Sequence, residues 1–321
     1  MKVLVTGGTG FIGLNLSIYL AKNGAQVTIC DNNFRGKLDE DAKHAVDECG
    51  LKFLKCDLTN KDDFQNLDKD YDEIYHLAAV NGTENFYKMP EKVLRVNTLA
   101  VINLLDWVVD NDIKSKILFS SSSETYATTR NKKIPTPETV DLTIDDVHNP
   151  RFSYAGSKII GELFFLNYAK KYDLDTKIVR YHNIYGPRMG YEHVMPQFSV
   201  RILKKESPFK IYGGENTRAF CYIDDAVEAT ISVMRCDEAK NQIVNIGNEK
   251  EEVKILDLAK KMLNFSDYDV KIEIEDAPSG SVSRRCPDIS KLRELIGYYP
   301  KVGLDEGVKK LFKWYKEKWN S

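Results

Sequence analysis

Residues 6–13 read Thr6-Gly7-Gly8-Thr9-Gly10-Phe11-Ile12-Gly13, directly after an apolar run at 2–6 and directly before helical spacing over 11–23. That setting decides more than the glycines do. Gly7, Gly10 and Gly13 stand where a side chain would block a tight turn, the approach of a pyrophosphate, or helix-on-strand packing. A helix that opens there turns its positive end toward phosphates. Strand, glycine-rich turn and helix, in that order, predict a dinucleotide-binding unit. Gly24 is the expected stop of the helix.

The alternation continues outward from this stretch. Strands are expected at 26–31, 52–56, 73–78, 116–121 and 176–181, with long helices at 93–111 and 153–172. This pattern predicts an α/β fold, a doubly wound parallel sheet covered on both faces. From Asn183 the pattern changes, and Pro187, Pro196, Pro208 and Gly213-Gly214 break it into loops and short elements. A helix at 224–235 and a strand at 242–246 are expected to return to the main sheet. The tail from Lys254 reads as two amphipathic helices and a strand near 270–275. The expected division is a dinucleotide-binding domain at 1–182 with a return at about 214–248, and a smaller mixed α/β substrate-binding lobe at 183–213 and 249–321.

Composition sets bounds on partners. The 321 residues are 42% hydrophobic and 29% charged, with a formal net charge of −2. That balance gives no reason to expect nucleic-acid or membrane binding. No apolar run approaches the roughly 20 residues of a membrane span, and the opening residues read as a strand rather than a signal peptide. Cys30, Cys49, Cys56, Cys221, Cys236 and Cys286 are scattered without a CxxC pair. No metal is expected, and reduced thiols fit a cytoplasmic protein.

Two further places bear on a dinucleotide. Asp31 ends the second strand, where an acid binds ribose hydroxyls and repels a 2′-phosphate, so NAD is favoured over NADP. Arg35 stands close by, and Asp31 also reads as a turn residue. Asp57 follows the third strand as a candidate for the adenine edge or as a plain loop carboxylate. Ala78 and Ala79 are small enough for a dinucleotide to lie on the backbone, or for close sheet packing.

The chemistry is carried by Tyr154 and Lys158, in Tyr154-Ala155-Gly156-Ser157-Lys158, downstream of a serine-rich strand end, Ser120-Ser121-Ser122-Ser123-Glu124-Thr125-Tyr126. A free tyrosine has a pKa of about 10, too high for a base at neutral pH. A nearby cation favours the phenolate, and Lys158 at i+4 shares a helix face with Tyr154. A serine hydroxyl from the strand end can share the substrate's proton. An alcohol can then lose its proton to Tyr154 while its hydride goes to a nicotinamide.

With these motifs in place, the chain resembles the extended short-chain dehydrogenase/reductases of the nucleotide-sugar epimerase/dehydratase family, with a Rossmann-like fold. The resemblance also covers His76-Leu77-Ala78-Ala79, Asn183-Ile184-Tyr185-Gly186-Pro187-Arg188, Arg218-Ala219-Phe220-Cys221-Tyr222-Ile223-Asp224-Asp225 and Arg284-Arg285-Cys286-Pro287-Asp288. It implies NAD as cofactor, a nucleotide sugar as substrate, and Ser122, Tyr154 and Lys158 as catalytic residues. It further implies Asn97 near the cofactor, Asn183 on the sugar diphosphate, and Val194 and the segment 209–212, with Lys210 and Tyr212, along the base and ribose. Arg218 and Arg285 are implied on the diphosphate, which suits a guanidinium's rigid fork of donors; Arg284 competes with Arg285. The full expected cofactor set is Gly7, Gly10, Phe11, Ile12, Gly13, Asp31, Asn32, Asp57, Leu58, Leu77, Ala78, Ala79, Asn97, Tyr154, Lys158 and Tyr181.

Within that family the reactions diverge after oxidation at C4. Dehydratases carry Asp-Glu after their catalytic Thr, where this chain has Ser123-Glu124; glucuronate decarboxylases carry Ser-Glu. Glu124 therefore keeps decarboxylation and C5 proton chemistry open, and reads equally as a buried structural carboxylate. Ala127 replaces the usual Gly, and Asn81-Gly82-Thr83-Glu84-Asn85-Phe86-Tyr87 matches neither pattern. Epimerisation at C4 is the expectation, because it needs only Ser122, Tyr154, Lys158 and a roomy pocket; UDP-glucuronate decarboxylation is the alternative. A non-catalytic dinucleotide-binding protein would be expected to lack Tyr154 or Lys158. The helix at 153–172 carries Ile159, Ile160, Leu163, Phe164, Phe165 and Leu166 over more than one face. With Val101, Leu104, Leu105, Trp107 and Val108 it predicts a two-fold homodimer.

Overall fold

The computed structural model describes residues 1–127, 133–277 and 281–320. Its elements in chain order are β1 (Lys2–Thr6), α1 (Phe11–Lys22), β2 (Gln26–Asp31), α2 (Glu40–Cys49), β3 (Lys52–Lys55), β4 (Glu73–His76), α3 (Thr83–Lys88), α4 (Pro90–Asp110), β5 (Lys116–Ser122), α5 (Phe152–Tyr172) and β6 (Thr176–Tyr181). There follow β7 (Ile184–Tyr185), α6 (Val194–Leu203), β8 (Phe209–Tyr212), β9 (Thr217–Ala219), β10 (Cys221–Tyr222), α7 (Ile223–Arg235) and β11 (Ile243–Ile246). The tail holds β12 (Glu252–Lys254), α8 (Ile255–Phe265), β13 (Ile272–Glu275), β14 (Arg284–Arg285), α9 (Ser290–Ile296) and α10 (Leu304–Asn320).

Seven strands form one parallel sheet in the order β11-β6-β5-β4-β1-β2-β3. The chain builds outward from β1 to β3, then crosses back to β4 and builds outward the other way. Right-handed crossovers put the helices of the two halves on opposite faces. The reversal between β1 and β4 is a topological switch point, the place where open α/β sheets bind ligands beyond the carboxyl ends of their strands. The expected doubly wound α/β fold is the observed one.

Two compact units emerge. Met1–Ala127, Leu142–Arg180 and Val227–Val244 make the first; 133–141, Tyr181–Ala226 and the chain from Asn245 make the second. The returning segment thus starts at Val227, inside α7, rather than near 214. Residues 133–141 join the second unit because Thr136 exchanges backbone hydrogen bonds with the tail: its N–H donates to Cys286 and its carbonyl accepts from Asp288.

Other departures have local causes. Pro196 does not break the chain; it lies in the first turn of α6, where a missing N–H costs no intrahelical bond. Among the described residues the tail holds three helices, not two, because α9 has only seven residues, too few for a visible period. The apolar residues of α4 expected to face a partner are inside: Val101, Leu104, Leu105, Trp107 and Val108 are buried in the first unit's own core with Phe119 and Phe165. What remains outside is Leu163 of α5, 56% exposed, and Leu94 of α4, 38% exposed. No helix among the described residues is long and apolar enough to cross a membrane.

The contact of α5 with β5 is especially tight at Gly161. A Cβ there would lie 2.4 Å from the Phe119 ring edge. Alanine in mid-helix is ordinarily favoured over glycine by about 1 kcal/mol, but overpacking a core costs about 1–3 kcal/mol. Gly161→Ala should therefore lower the Tm in a thermal melt; a raised Tm would mean that the ring has room to yield.

Candidate active site

The glycine loop is built as a cradle. Gly7 adopts φ +68°, and its N–H donates to the Cys30 carbonyl at 2.9 Å. A Cβ on Gly7 would meet the Ala78 nitrogen at 2.7 Å, and one on Gly13 would meet the Gly7 carbonyl oxygen at 2.3 Å. Gly10 is the N-cap of α1 and offers no side chain to its N–H groups, and Phe11 and Ile12 form the first turn. Open helix donors at a switch point suit a pyrophosphate. Asp31 is buried at the end of β2, its carboxylate accepting from the N–H groups of Thr9 (3.2 Å) and Asn33 (2.8 Å). These features fit NAD.

The neighbouring candidates divide. Asn32 reaches Asp57 with its amide at 3.2 Å. Burial alone would raise Asp57, but hydrogen bonds from Thr59 and Asn32 and the charge of Lys92 hold it below the usual carboxylate range. Its Oδ1 takes both the hydroxyl and the N–H of Thr59, so it also shapes its loop. The Leu58 side chain lies in the core, and its carbonyl accepts from Asn103. Leu77, Ala78 and Ala79 follow β4 half-buried. Asn97 is buried and bonded to both backbone groups of Val80 and to Ser157 Oγ, so it clamps the chain after β4 onto α5.

Tyr154, Lys158 and the serine strand end meet as their spacing requires. Ser122 caps the turn after β5, accepting from the Glu124 N–H, and its side chain favours the ionised form of Tyr154. Lys158 is buried and donates to the Ser120 carbonyl at 2.6 Å, with its ammonium 4.8 Å from the Phe119 ring centre and 5.7 Å from that of Tyr154. Burial pulls Lys158 down to about 7, against the charge of Glu162. Tyr154 is not lowered as expected. Burial and then the charge of Glu124 push it up to about 12, while Ser122, Asn81 and Arg35 pull the other way.

Asn81 is the residue that sequence reasoning missed. Its segment stood out as unlike known patterns and as one expected to lie beside the sugar. Here its side chain favours the ionised form of Tyr154, its carbonyl accepts from Asn85 at 2.7 Å, and Phe86 stacks on the Tyr154 ring at 5.0 Å. Arg151, also unremarked, stands 3.8 Å from the Glu124 carboxylate.

In the second unit, β9 and β14 run parallel with Arg218 opposite Arg285. Arg284 is held by Glu252 through two bonds of 2.8 and 2.9 Å. Like charges facing each other across strands are unfavourable. Asn183, at φ 41°, donates to the Ala219 carbonyl beside Arg218. Lys210 pairs with Glu275 and Tyr212 is exposed, both on β8, which belongs to a different small sheet. Val194 opens α6, and Tyr181 ends β6.

The sequence model of the NAD dependent epimerase/dehydratase family matches residues 3–247. The chain belongs to this family. It is 34% identical to the UDP-N-acetyl-alpha-D-glucosaminuronate decarboxylase of Bacillus cytotoxicus, over 98% of each chain. It is 32% identical to a putative UDP-glucose 4-epimerase of Methanocaldococcus jannaschii, again over 98% of each. The structure of UDP-glucuronic acid 4-epimerase from Bacillus cereus, in complex with UDP-glucuronic acid and NAD, matches with a TM-score of 0.86 at 26% identity, over 99% of this chain and 100% of that one. As a member of this NAD-dependent family, the chain is an enzyme of the epimerase and decarboxylase group.

A hydrogen bond to a developing charge is worth about 1.5–3 kcal/mol, or roughly 10- to 100-fold in rate. Asn81→Ala should cost that much in kcat and move the pH optimum upward, since Tyr154 loses one group that favours its ionised form. An unchanged pH–rate profile would show that Asn81 does not act on Tyr154.

Proposed function

We propose that the protein decarboxylates a UDP-hexuronate through a transient 4-keto sugar. One observation carries the reading: a carboxylate, Glu124, lies close enough to Tyr154 to disfavour its ionisation, with Arg151 at 3.8 Å. Epimerisation at C4 gives Glu124 no task. Decarboxylation does, because carbon dioxide leaving C5 must be replaced by a proton. The decarboxylase of Bacillus cytotoxicus, similar over 98% of this chain, supports the same choice.

Tyr154, held by Ser122 and Asn81, takes the proton of the C4 hydroxyl. The glycine loop and Asp31 would hold NAD, which would supply a reversible hydride acceptor for the C4 hydrogen and its electron pair. The C4 ketone is β to the C6 carboxylate, so the C5–C6 bond breaks with its electron pair delocalised into an enolate. Glu124, protonated, gives its proton to C5 and is recharged from solvent. Tyr154 returns its proton to the C4 oxygen. Arg218 and Arg285 are assigned to the diphosphate. C4 epimerisation is the second reading, supported by the relative and the solved structure named as 4-epimerases.

The panel that decides holds UDP-glucuronate, UDP-N-acetylglucosaminuronate, UDP-glucose and UDP-N-acetylglucosamine, read by mass spectrometry and proton NMR in deuterated water. Loss of carbon dioxide with deuterium at C5 is expected. A sugar of unchanged mass would instead establish the epimerase. Glu124→Gln should slow C5 labelling by about 100-fold or more, and Tyr154→Phe should stop all turnover.

The homodimer is likewise a proposal, now narrowed to the exposed Leu94 and Leu163 and the half-buried Ile159 and Ile160. Leu163→Arg should convert a dimer to a monomer in light scattering; a monomeric parent would refute the interface.

A further inference from the structure

Tyr154, Lys158 and Glu162 fall at i, i+4 and i+8 of α5, one stripe of the helix. That stripe faces the three serines that end β5. Ser122 favours the ionised form of Tyr154, and the Ser120 carbonyl takes the Lys158 ammonium at 2.6 Å. The third rung is complete as well, since Ser121 Oγ donates to Glu162 Oε1 at 2.5 Å. Glu162 is in turn gripped by Arg180 of β6, from Nε to Oε1 at 2.8 Å and from an Nη to Oε2 at 2.6 Å. Glu162 and Arg180 are 3% and 2% exposed, and the guanidinium lies 4.8 Å from the centre of the Tyr126 ring. None of this touches the reacting centre.

Buried ion pairs contribute little to stability compared with well-packed apolar residues. A packing role alone therefore gives a weak account of this one. We propose that the Glu162–Arg180 pair is a positioning device for Lys158: it locks the register of α5 on β5 and supplies the fixed negative charge that keeps Lys158 a cation. The proposal rests on the reading of Tyr154 and Lys158 as the acid–base pair.

The surroundings of Lys158 make Glu162 the relevant charge. On α5 it has Tyr154 and Glu162; on β5 it has the neutral Ser120 carbonyl and the Phe119 ring. Across on β4 stands His76, buried, with Nδ1 bonded to Thr6 Oγ1 at 2.8 Å and pulled down to about 3 by burial and by Lys158. His76 is therefore neutral and offers Lys158 no counter-charge. On β6 there is Arg180, whose charge is spent on Glu162. Among the charged groups of the described residues, Glu162 is the one that favours the ammonium against burial.

The test reads Lys158 in the free protein. Lysine labelled with carbon-13 at Cε is titrated by NMR, and the Lys158 signal is assigned by its loss in Lys158→Met. The midpoint should be near 7 in the parent and about one unit lower in Glu162→Gln. Glu162→Leu/Arg180→Met removes both charges at similar volume. It should melt close to the parent and keep the lowered midpoint. A parental midpoint in both variants would reduce the pair to a structural one and overturn the proposal. With any nucleotide sugar that the parent turns over, the alkaline limb of kcat/KM should move down with the midpoint, and a uniform loss across pH would again point to structure alone. If the parent turns over no sugar, the functional reading fails, while the NMR titration still decides the role of Glu162.

Discussion

Everything at the candidate site depends on one contact, the seating of α5 on the end of β5. A helix repeats a face every four residues or so, and a strand alternates every two. Three consecutive serines at the end of β5 nevertheless lie against Tyr154, Lys158 and Glu162 of one helix stripe. Each rung uses a different serine group: the Ser122 and Ser121 hydroxyls and the Ser120 carbonyl. The small side chains let the helix come close, and Gly161 lets Phe119 fit beneath it. A slip of one residue along either element would break all three rungs together. The tyrosine's geometry is thus inherited from packing rather than from a flexible loop.

Much of this fold was legible from local chemistry. The glycine loop, the strands around it and the long helices at α4 and α5 carry strong periods or obligatory turn residues. Weaker elements were hidden for identifiable reasons. Helix α2 has proper caps, with the Asp39 side chain accepting from the Ala42 N–H and Gly50 in the left-handed region, but buries only Ala42 and Ala45. Its apolar period is too faint to read. The supposed partner face of α4 shows the converse error. Amphipathic counting sees an apolar surplus but not which neighbour covers it, and here the first unit's own core does.

The site was legible where roles follow from spacing along one element, and illegible where they follow from long-range contact. Tyr154 and Lys158 share a helix face, so their pairing could be read. Asn81 reaches Tyr154 only because the chain after β4 is pinned by Asn97 at Val80 and stacked through Phe86. Nothing in the letters near Asn81 announces that. Nor could the charge balance be read. An i+4 lysine suggested a lowered tyrosine, yet burial acts on both groups and pushes them in opposite senses, Tyr154 up and Lys158 down. Desolvation disfavours either charge, so proximity alone does not create a phenolate–ammonium pair.

That opposition bears on how one scaffold serves several reactions. The proposed oxidation at C4 asks for a tyrosine able to take a proton, and a cation maintained nearby. What differs is the fate of the ketone, which is decided by groups that the shared step does not use. A pocket without a carboxylate leaves the ketone intact, to be reduced from either face. A carboxylate such as Glu124 is a burden in that setting, since its charge works against ionisation of Tyr154. Such a burden persists only where the group has work of its own. In decarboxylation the burden disappears when it matters, because a Glu124 that carries the C5 proton is neutral and no longer opposes the phenolate. The same residue that hinders an epimerase would therefore be compatible with a decarboxylase, with Arg151 beside it to stabilise the anion once the proton has gone.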